Sequence, residues 1–212
     1  MKYSFKMLLI VLGMVISFSS FSATPEPTPT QSLTLYGGNG VPGDIDPYTE
    51  ASRDGGVTWQ PAYLFKGHPW GNIAGTDSWI NFDPSDIVGL YETTLYRIRF
   101  YAPSSWDAGT PTMILEMKAD NYGKIAFNGA PVLDIAGSAP AVNADDIFRA
   151  NLMPGLNEIT ITLIDVGGWV GFNYRIDLKL ESDEPFGDLV PTGSPEVPQP
   201  EIVDAGMDGL LS

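Results

Sequence analysis

Two stretches, Asn157–Asp165 (NEITITLID) and Gly171–Leu180 (GFNYRIDLKL), decide the fold of this chain. In each of them apolar and polar residues alternate, which is the period of a half-buried β-strand. Thr94–Tyr101 (TLYRIRFY) alternates in the same way. Asn128-Gly129 is a hairpin signal, because both residues tolerate positive φ. Turn residues separate the runs and no segment carries a convincing helical stripe, so the chain is predicted to be an all-β, antiparallel β-sandwich.

Shorter strands and the core follow from the same pattern. Further strands are predicted at Thr112–Ala119, Lys124–Phe127 and Pro131–Ile135. Trp59 and Trp79 are expected in the core. Arg97 and Arg99 share one face of their strand, where they could form a sugar platform, although pairing with acids on a solvated face is the preferred interpretation.

The composition excludes several classes of function. The chain has 212 residues, no cysteine and one histidine, so a disulfide framework, a thiolate nucleophile and a cysteine metal site are ruled out. There are 26 acidic against 11 basic residues, and the net charge of −15 argues against nucleic-acid binding, which needs basic patches. Hydrophobic residues make up 43% and aromatic residues 11%, which is too much for a disordered chain.

The first residues have the three-part form of a secretory signal. Lys2 and Lys6 precede an apolar run that is shorter than the roughly 20 residues needed to cross a bilayer. Cleavage is predicted near Ser22 or Ala23. The mature protein is therefore expected to be secreted or periplasmic and to have no transmembrane span.

Composition also divides the chain into segments. Residues 1–23 are the predicted signal peptide, and 24–32 form a Pro/Thr-rich linker. Residues 33–182 are one β-sandwich domain of ordinary size. Residues 183–212 are an acidic, proline-rich tail that cannot bury enough apolar surface to fold alone.

The order of these elements resembles the galactose-binding-domain-like jelly roll, which is found in carbohydrate-binding modules and discoidin-type domains. The resemblance rests on GGVTWQPA (55–62) with HPW (68–70) and DSWINF (77–82), TLYRIRFYAPSSW (94–106), ADNYGKIAFNGAPV (119–132) and LMPGLNEITITLIDVGGWVGFNYRIDL (152–178). It implies a jelly-roll fold and, as often in this family, a structural calcium near the early strands. It specifies function poorly, because the fold serves sugar binding, adhesion, lipid-surface binding and scaffolding.

Candidate sugar-binding residues are aromatic side chains in loops, because an aromatic face stacks on the apolar side of a sugar ring while polar groups bind its hydroxyls. The predicted ligand-binding residues are Trp70, Trp169, Trp106, Tyr122, Asp120 and Asn121. The alternative for each aromatic residue is a cap over the end of the sandwich core.

Calcium is the plausible metal, since the chain offers many oxygen ligands. Asp44 and Asp46, in GDIDPYTE, are the preferred pair, with Glu50 downstream. Asp145-Asp146 is a second candidate, and solvated turn acids are the alternative to any bound ion.

Catalysis has weak support. His68 is expected to be an ordinary loop histidine, because the chain contains no G-x-S-x-G motif. Paired carboxylates leave a glycoside hydrolase as the weaker alternative. The N-terminal arm and the tail, which ends in the apolar segment 203–212, favour a second alternative, a structural or assembly subunit of the cell surface that self-associates through its arms.

The function predicted from the sequence is therefore a secreted, non-catalytic carbohydrate-binding or adhesive module. Its partner is a glycan or cell-surface polysaccharide, recognised through loop aromatics.

Overall fold

Almost all regular structure in this protein is β-strand. A computed structural model describes residues 26–84, 88–89 and 92–195. In this part of the chain the strands are β1 (Thr30–Gly37), β2 (Ile45–Ser52), β3 (Gln60–Phe65), β4 (Trp79–Asn81), β5 (Val88–Gly89), β6 (Thr93–Ala102), β7 (Thr112–Phe127), β8 (Ala130–Asn143), β9 (Gly155–Ile164), β10 (Gly168–Trp169) and β11 (Gly171–Glu181). A short helix that the sequence did not predict, α1 (Asp145–Asn151), lies between β8 and β9.

The main sheet closes on itself through β7. Residues 112–120 of this strand pair with β11, whereas residues 122–127 pair with β9. In the order β11, β4, β3, β2, β6, β9 and β7, each strand pairs with the next, and β7 returns to β11. β1 and β8 add to the outside of this seven-stranded antiparallel barrel.

The predicted all-β, antiparallel architecture is confirmed, but the sandwich is corrected to a barrel. The physical reason is the continuity of β7. Thr112–Ala119 and Lys124–Phe127, predicted as two strands, are one strand of 16 residues. Because that strand changes partner near its middle, it joins the two halves of the sheet covalently and through hydrogen bonds.

The core is built from the alternating positions identified in the sequence. Ile159, Ile161 and Leu163 of β9 and Phe172 of β11 belong to one buried cluster. The predicted hairpin is also present, with Asn128 at φ 46° and Gly129 at φ 81° between β7 and β8.

The prediction for Trp79 is confirmed, since its side chain is buried, but the prediction for Trp59 is wrong. Trp59 is half-buried outside the core, and the guanidinium of Arg97 lies 4.2 Å from its ring centroid. A cation held over the indole face stabilises this outer position.

A buried charge cluster lies on the outer side of β2 and β6. One carboxylate oxygen of Glu50 accepts hydrogen bonds from Arg97 Nε at 2.8 Å and from Arg99 Nη2 at 2.9 Å. The expected pairing of the two arginines with an acid is thus present, but all three residues are buried rather than solvated.

Residues 186–193, called the C-terminal strap below, cover this cluster. The N–H of Val190 donates to the carbonyl of Arg99, and the N–H of Gly193 donates to the second oxygen of Glu50. The first part of the predicted tail therefore packs on the barrel.

Other predictions concern the ends of the chain. β1 begins at Thr30, within the segment assigned to the linker, and pairs with β11. The predicted signal peptide, its cleavage site and the apolar segment 203–212 lie outside the described residues. Among the residues that are described, no helix has the length and apolar character to cross a membrane.

Candidate functional site

The loop between β3 and β4 (residues 66–78), called the β3–β4 loop below, carries the main candidate site. Gly67 and Gly71, both at positive φ, flank its central His68-Pro69-Trp70 segment and allow the chain to turn on either side of it. Lys118, on β7, donates to the backbone carbonyls of residues 70, 71 and 72 at 3.3, 3.4 and 3.2 Å. This ammonium group therefore ties the loop to the barrel.

His68, expected from the sequence to be an ordinary loop residue, is the centre of the site. Its ring is buried and stacks on Trp79, with 3.6 Å between centroids and 16° between planes. Its Nε2 lies 3.0 Å from Oδ2 of Asp120, and its Nδ1 accepts the backbone N–H of Trp70 at 3.3 Å. Because a backbone N–H can only donate, Nδ1 is the acceptor, so Nε2 carries the proton and donates to Asp120.

Burial controls the ionisation of this pair. Loss of solvent lowers the pKa of His68, which keeps the imidazole neutral, in agreement with the acceptor role of Nδ1. Burial also raises the pKa of Asp120, and the nearby carboxylate of Asp165 adds to the rise. The pair is thus a fixed hydrogen bond between a neutral imidazole and a carboxyl group.

Two exposed tryptophans stand edge-on against His68. Trp70 is 45% exposed, with its ring centroid 5.1 Å from that of the imidazole. Trp169, on β10, is 37% exposed and its centroid lies 6.0 Å from the same ring. We call Trp70, Trp169, His68 and Trp79 the tryptophan platform.

Asn121 connects the platform to the barrel. Its amide nitrogen donates to Oδ1 of Asp120 at 2.6 Å, and its amide oxygen accepts the N–H of Val166 at 2.8 Å. The second bond fixes the turn that precedes Trp169. The peptide bond between Asp120 and Asn121 is cis.

A cleft of about 240 Å³ opens beside the platform, lined in part by His68 and Trp79. Lys66, Asn72 and Asp77 also line it, and all three are exposed. Within the described part of the chain their side chains have no hydrogen-bond or ion-pair partner, so they are available to a ligand. No motif in the sequence pointed to these residues, although Lys66 and Asn72 lie two positions from the HPW segment.

The predicted ligand-binding residues thus fall into two places. The structure brings together Trp70, Trp169, Asp120 and Asn121, and it places Tyr122, 46% exposed, directly after them on β7. Trp106 lies elsewhere. Its neighbours Ser105 and Asp107 form hydrogen bonds with Ser182 and Glu181, at the C-terminal end of β11. Asp120 pairs with Gly171, at the N-terminal end of the same strand.

The two predicted calcium ligands, Asp44 and Asp46, differ in their exposure to solvent. Asp46 is fully buried, and its carboxylate accepts the N–H groups of Gly38, Tyr48 and Thr49. Asp44 is exposed. No group of three or more His, Cys, Asp or Glu side chains suited to a metal ion occurs in the described ranges. Calcium at this pair stays a prediction.

Asp145 and Asp146, the second candidate pair, begin α1. Asp145 Oδ1 accepts the N–H of Met113 at 2.8 Å, and Asp146 pairs with Arg149 at 3.1 Å. Acids in a first helical turn are favoured by the helix dipole, which accounts for both residues without an ion.

Comparison with known proteins gives partial structural matches only. No protein-family model matches the chain, and no curated protein matches it. An FMN-binding beta-glucuronidase from Facaelibacterium prausnitzii L2-6 matches 70% of this chain at 15% identity with a TM-score of 0.40. A beta-D-mannosidase and a beta-D-glucuronidase from Dictyoglomus thermophilum match 63% and 74% of it, at 18% and 12% identity and TM-scores of 0.40 and 0.42.

The matched regions are small parts of those enzymes. This chain covers 23%, 15% and 29% of the three proteins, so it spans less than a third of each. The matches do not assign the chain to a family.

Proposed function

We propose that this protein is a non-catalytic carbohydrate-binding module whose ligand lies on the tryptophan platform. The observation that carries the proposal is that two exposed indoles, Trp70 and Trp169, are fixed against one buried imidazole. An aromatic ring offers the apolar face that a pyranose needs for stacking. Because both indoles are held in place before binding, little conformational entropy is lost when a sugar arrives.

The polar part of the proposed site is the cleft beside the platform. Lys66, Asn72 and Asp77 offer a cation, an amide and a carboxylate that have no side-chain partner in the described structure. Such groups can donate to and accept from sugar hydroxyls. Since the sequence predicts that the chain is exported, the partner we propose is a glycan or a cell-surface polysaccharide.

The state of Asp120 supports binding rather than hydrolysis. One of its carboxylate oxygens is hydrogen-bonded to His68 and the other to Asn121. Asp120 is also buried, so its carboxylate is not presented to a ligand on the platform. Asp120 and Asn121 are therefore assigned to bracing the platform rather than to direct chemistry.

The direct test is a glycan array with the chain lacking residues 1–23, measured beside Trp70→Ala and Trp169→Ala. Each substitution removes a stacking surface worth about 0.5–1.5 kcal/mol beyond its buried area, so affinity should fall about three- to tenfold or more. The matched control is Trp59→Ala, because Trp59 lies at the other end of β3 from Phe65 and the platform.

The outcomes separate the site from the function. Equal loss of binding in Trp59→Ala would move the site away from the platform. Absence of binding to every glycan, or turnover of any of them, would contradict the proposed function. A parallel array with EDTA tests calcium, which is proposed as a structural ion at Asp44 and Asp46 and should then be needed for full affinity.

A further inference from the structure

A shallow groove of about 420 Å³ lies on the outer face of β7, β8 and β9. Tyr122 and Lys124 of β7 line it and are exposed, whereas the next inward position, Ile125, is buried in the core. Ala136 of β8 and Ile164 of β9 form its apolar sides. The platform and the cleft do not include this groove, although Tyr122 is one of the predicted ligand-binding residues.

The groove is continuous with the tryptophan platform. Ala136 is the direct cross-strand partner of Tyr122, and its neighbour Gly137 lies under the ring of Trp70. A Cβ atom placed on Gly137 would be 3.9 Å from that indole, which is van der Waals contact. Two consecutive residues of β8 therefore link the two places, Gly137 next to Trp70 and Ala136 opposite Tyr122.

The groove offers an apolar surface and polar groups, which match the apolar face and the hydroxyl groups of a sugar. Tyr122 supplies an exposed aromatic face, 46% accessible, and Ile164 and Ala136 extend the apolar surface. Lys124 and Asp134 are cross-strand partners, yet neither has a side-chain hydrogen bond or ion pair in the described ranges. Their polar atoms are thus free to bind hydroxyl groups.

The charges favour a neutral ligand. Lys124 and Asp134 carry opposite charges, as do Lys66 and Asp77 in the cleft beside the platform. The whole chain has a net charge of −15, which repels an anionic polysaccharide. A sugar without a carboxylate or sulfate fits both places.

We infer that the groove is a second subsite and that the ligand is a neutral oligosaccharide, which runs from the tryptophan platform along Gly137 into the groove. This inference rests on the proposed function and sharpens it. A single terminal sugar would occupy the platform alone, whereas a chain of linked sugars also buries Tyr122.

The experiment measures affinity against ligand length by calorimetry. The probes are neutral oligomers of glucose, mannose, xylose and galactose with one to six units, and oligogalacturonides of equal length. For at least one neutral series, affinity should rise at least tenfold between two and four units. The oligogalacturonides should bind at least tenfold more weakly than that neutral series.

Single substitutions show which residues cause the gain in affinity with ligand length. Tyr122→Ala should bring the ratio of tetrasaccharide to disaccharide affinity close to one, while Tyr122→Phe, which keeps the ring, should retain most of it. Asp134→Asn should lower the same ratio by a smaller factor.

The outcomes are distinguishable. Affinity that does not change with length, or a length effect that survives in Tyr122→Ala, overturns the second subsite and leaves the proposed function standing. Stronger binding of oligogalacturonides overturns the neutral ligand. Absence of binding in every series removes the proposed function and the inference with it.

Discussion

Two buried polar clusters lie outside the barrel core, and the chain covers them in different ways. Glu50, Arg97 and Arg99 lie under the C-terminal strap, whose Gly193 N–H completes the bonding of the carboxylate. His68 of the β3–β4 loop and Asp120 of β7 form the second cluster, beside which the indoles of Trp70 and Trp169 remain accessible. Both clusters fix a segment to the barrel, but the indoles at the second, Trp70 and Trp169, are more exposed than Trp59, which packs on Arg97 at the first.

The difference separates stability from recognition. In the first cluster, two guanidinium groups share one carboxylate and all three side chains are buried, so each partner depends strongly on the others. In the second cluster, a neutral imidazole is hydrogen-bonded to a single carboxyl group. Removal of that carboxyl group is therefore expected to lower the free energy of unfolding by less. The most strongly bonded cluster is therefore expected to matter most for folding and least for binding.

The largest effect is expected for Glu50→Ala. The substitution leaves two buried guanidinium groups without their carboxylate and frees the N–H of Gly193. The free energy of unfolding should fall by about 3–5 kcal/mol, as measured by urea denaturation. Glu50→Gln, which keeps the volume and an acceptor oxygen, should lose less. Equal stability of wild type and Glu50→Ala would show that the cluster does not hold the strap.

A smaller loss is expected for Asp120→Ala. Its removal leaves the Nε2–H of His68 buried without an acceptor, which costs about 1–3 kcal/mol. Glycan affinity should fall as well, because His68 orients Trp70 through its Nδ1. Denaturation and glycan titration check the two effects, and Asp120→Asn, which keeps an acceptor oxygen, is the control. Full glycan affinity in Asp120→Ala would contradict the bracing role.

The smallest effect is a dependence of stability on pH that comes from His68, the one histidine of the chain. Burial lowers the pKa of His68 in the folded protein, whereas in the unfolded chain it is about 6.5. Between these two values only the unfolded chain binds the proton. The contribution of His68 to stability is thus fully present above pH 6.5 and decreases as the pH falls below it.

Urea denaturation between pH 8 and 5.5 measures this dependence, with His68→Gln as the control that lacks it. The range stops there because burial also raises the pKa of Asp46 and Asp120, whose contributions change in the opposite direction. A wild-type stability that increases relative to His68→Gln on acidification would contradict the assigned neutral imidazole.

Much of the fold could be predicted because alternation reports which side of a strand is buried. Ile159, Ile161 and Leu163 were identified in this way and are buried in the core. The closure of the barrel could not be predicted, since Asp120, Asn121 and Gly123 are poor strand formers and mark a loop by local propensity. Pairing with β8 and β9 overrides that preference at Tyr122 and Gly123.

The sequence predicts the exposed tryptophans of the site together with Asp120 and Asn121, but not the buried contact that organises them. Trp70 and Trp169 stand beside glycine and proline, which indicated loop tryptophans. His68 and Asp120 are 52 positions apart, and no periodic pattern reports a contact over that distance. Trp59 was expected in the core at the start of a strand, but the guanidinium of Arg97 gives it a stable place outside.

The continuity of β7 has a consequence for the opening motions of the protein. This strand has hydrogen-bonded neighbours on both sides, β8 on one and β11 followed by β9 on the other. Amide protons in such a strand exchange with solvent mainly when the whole barrel opens, rather than through local fraying. Asp120 and Asn121, which brace the platform, belong to β7. A glycan is therefore expected to bind and dissociate without opening the barrel, so that the slowest-exchanging amides near it stay protected from exchange with solvent.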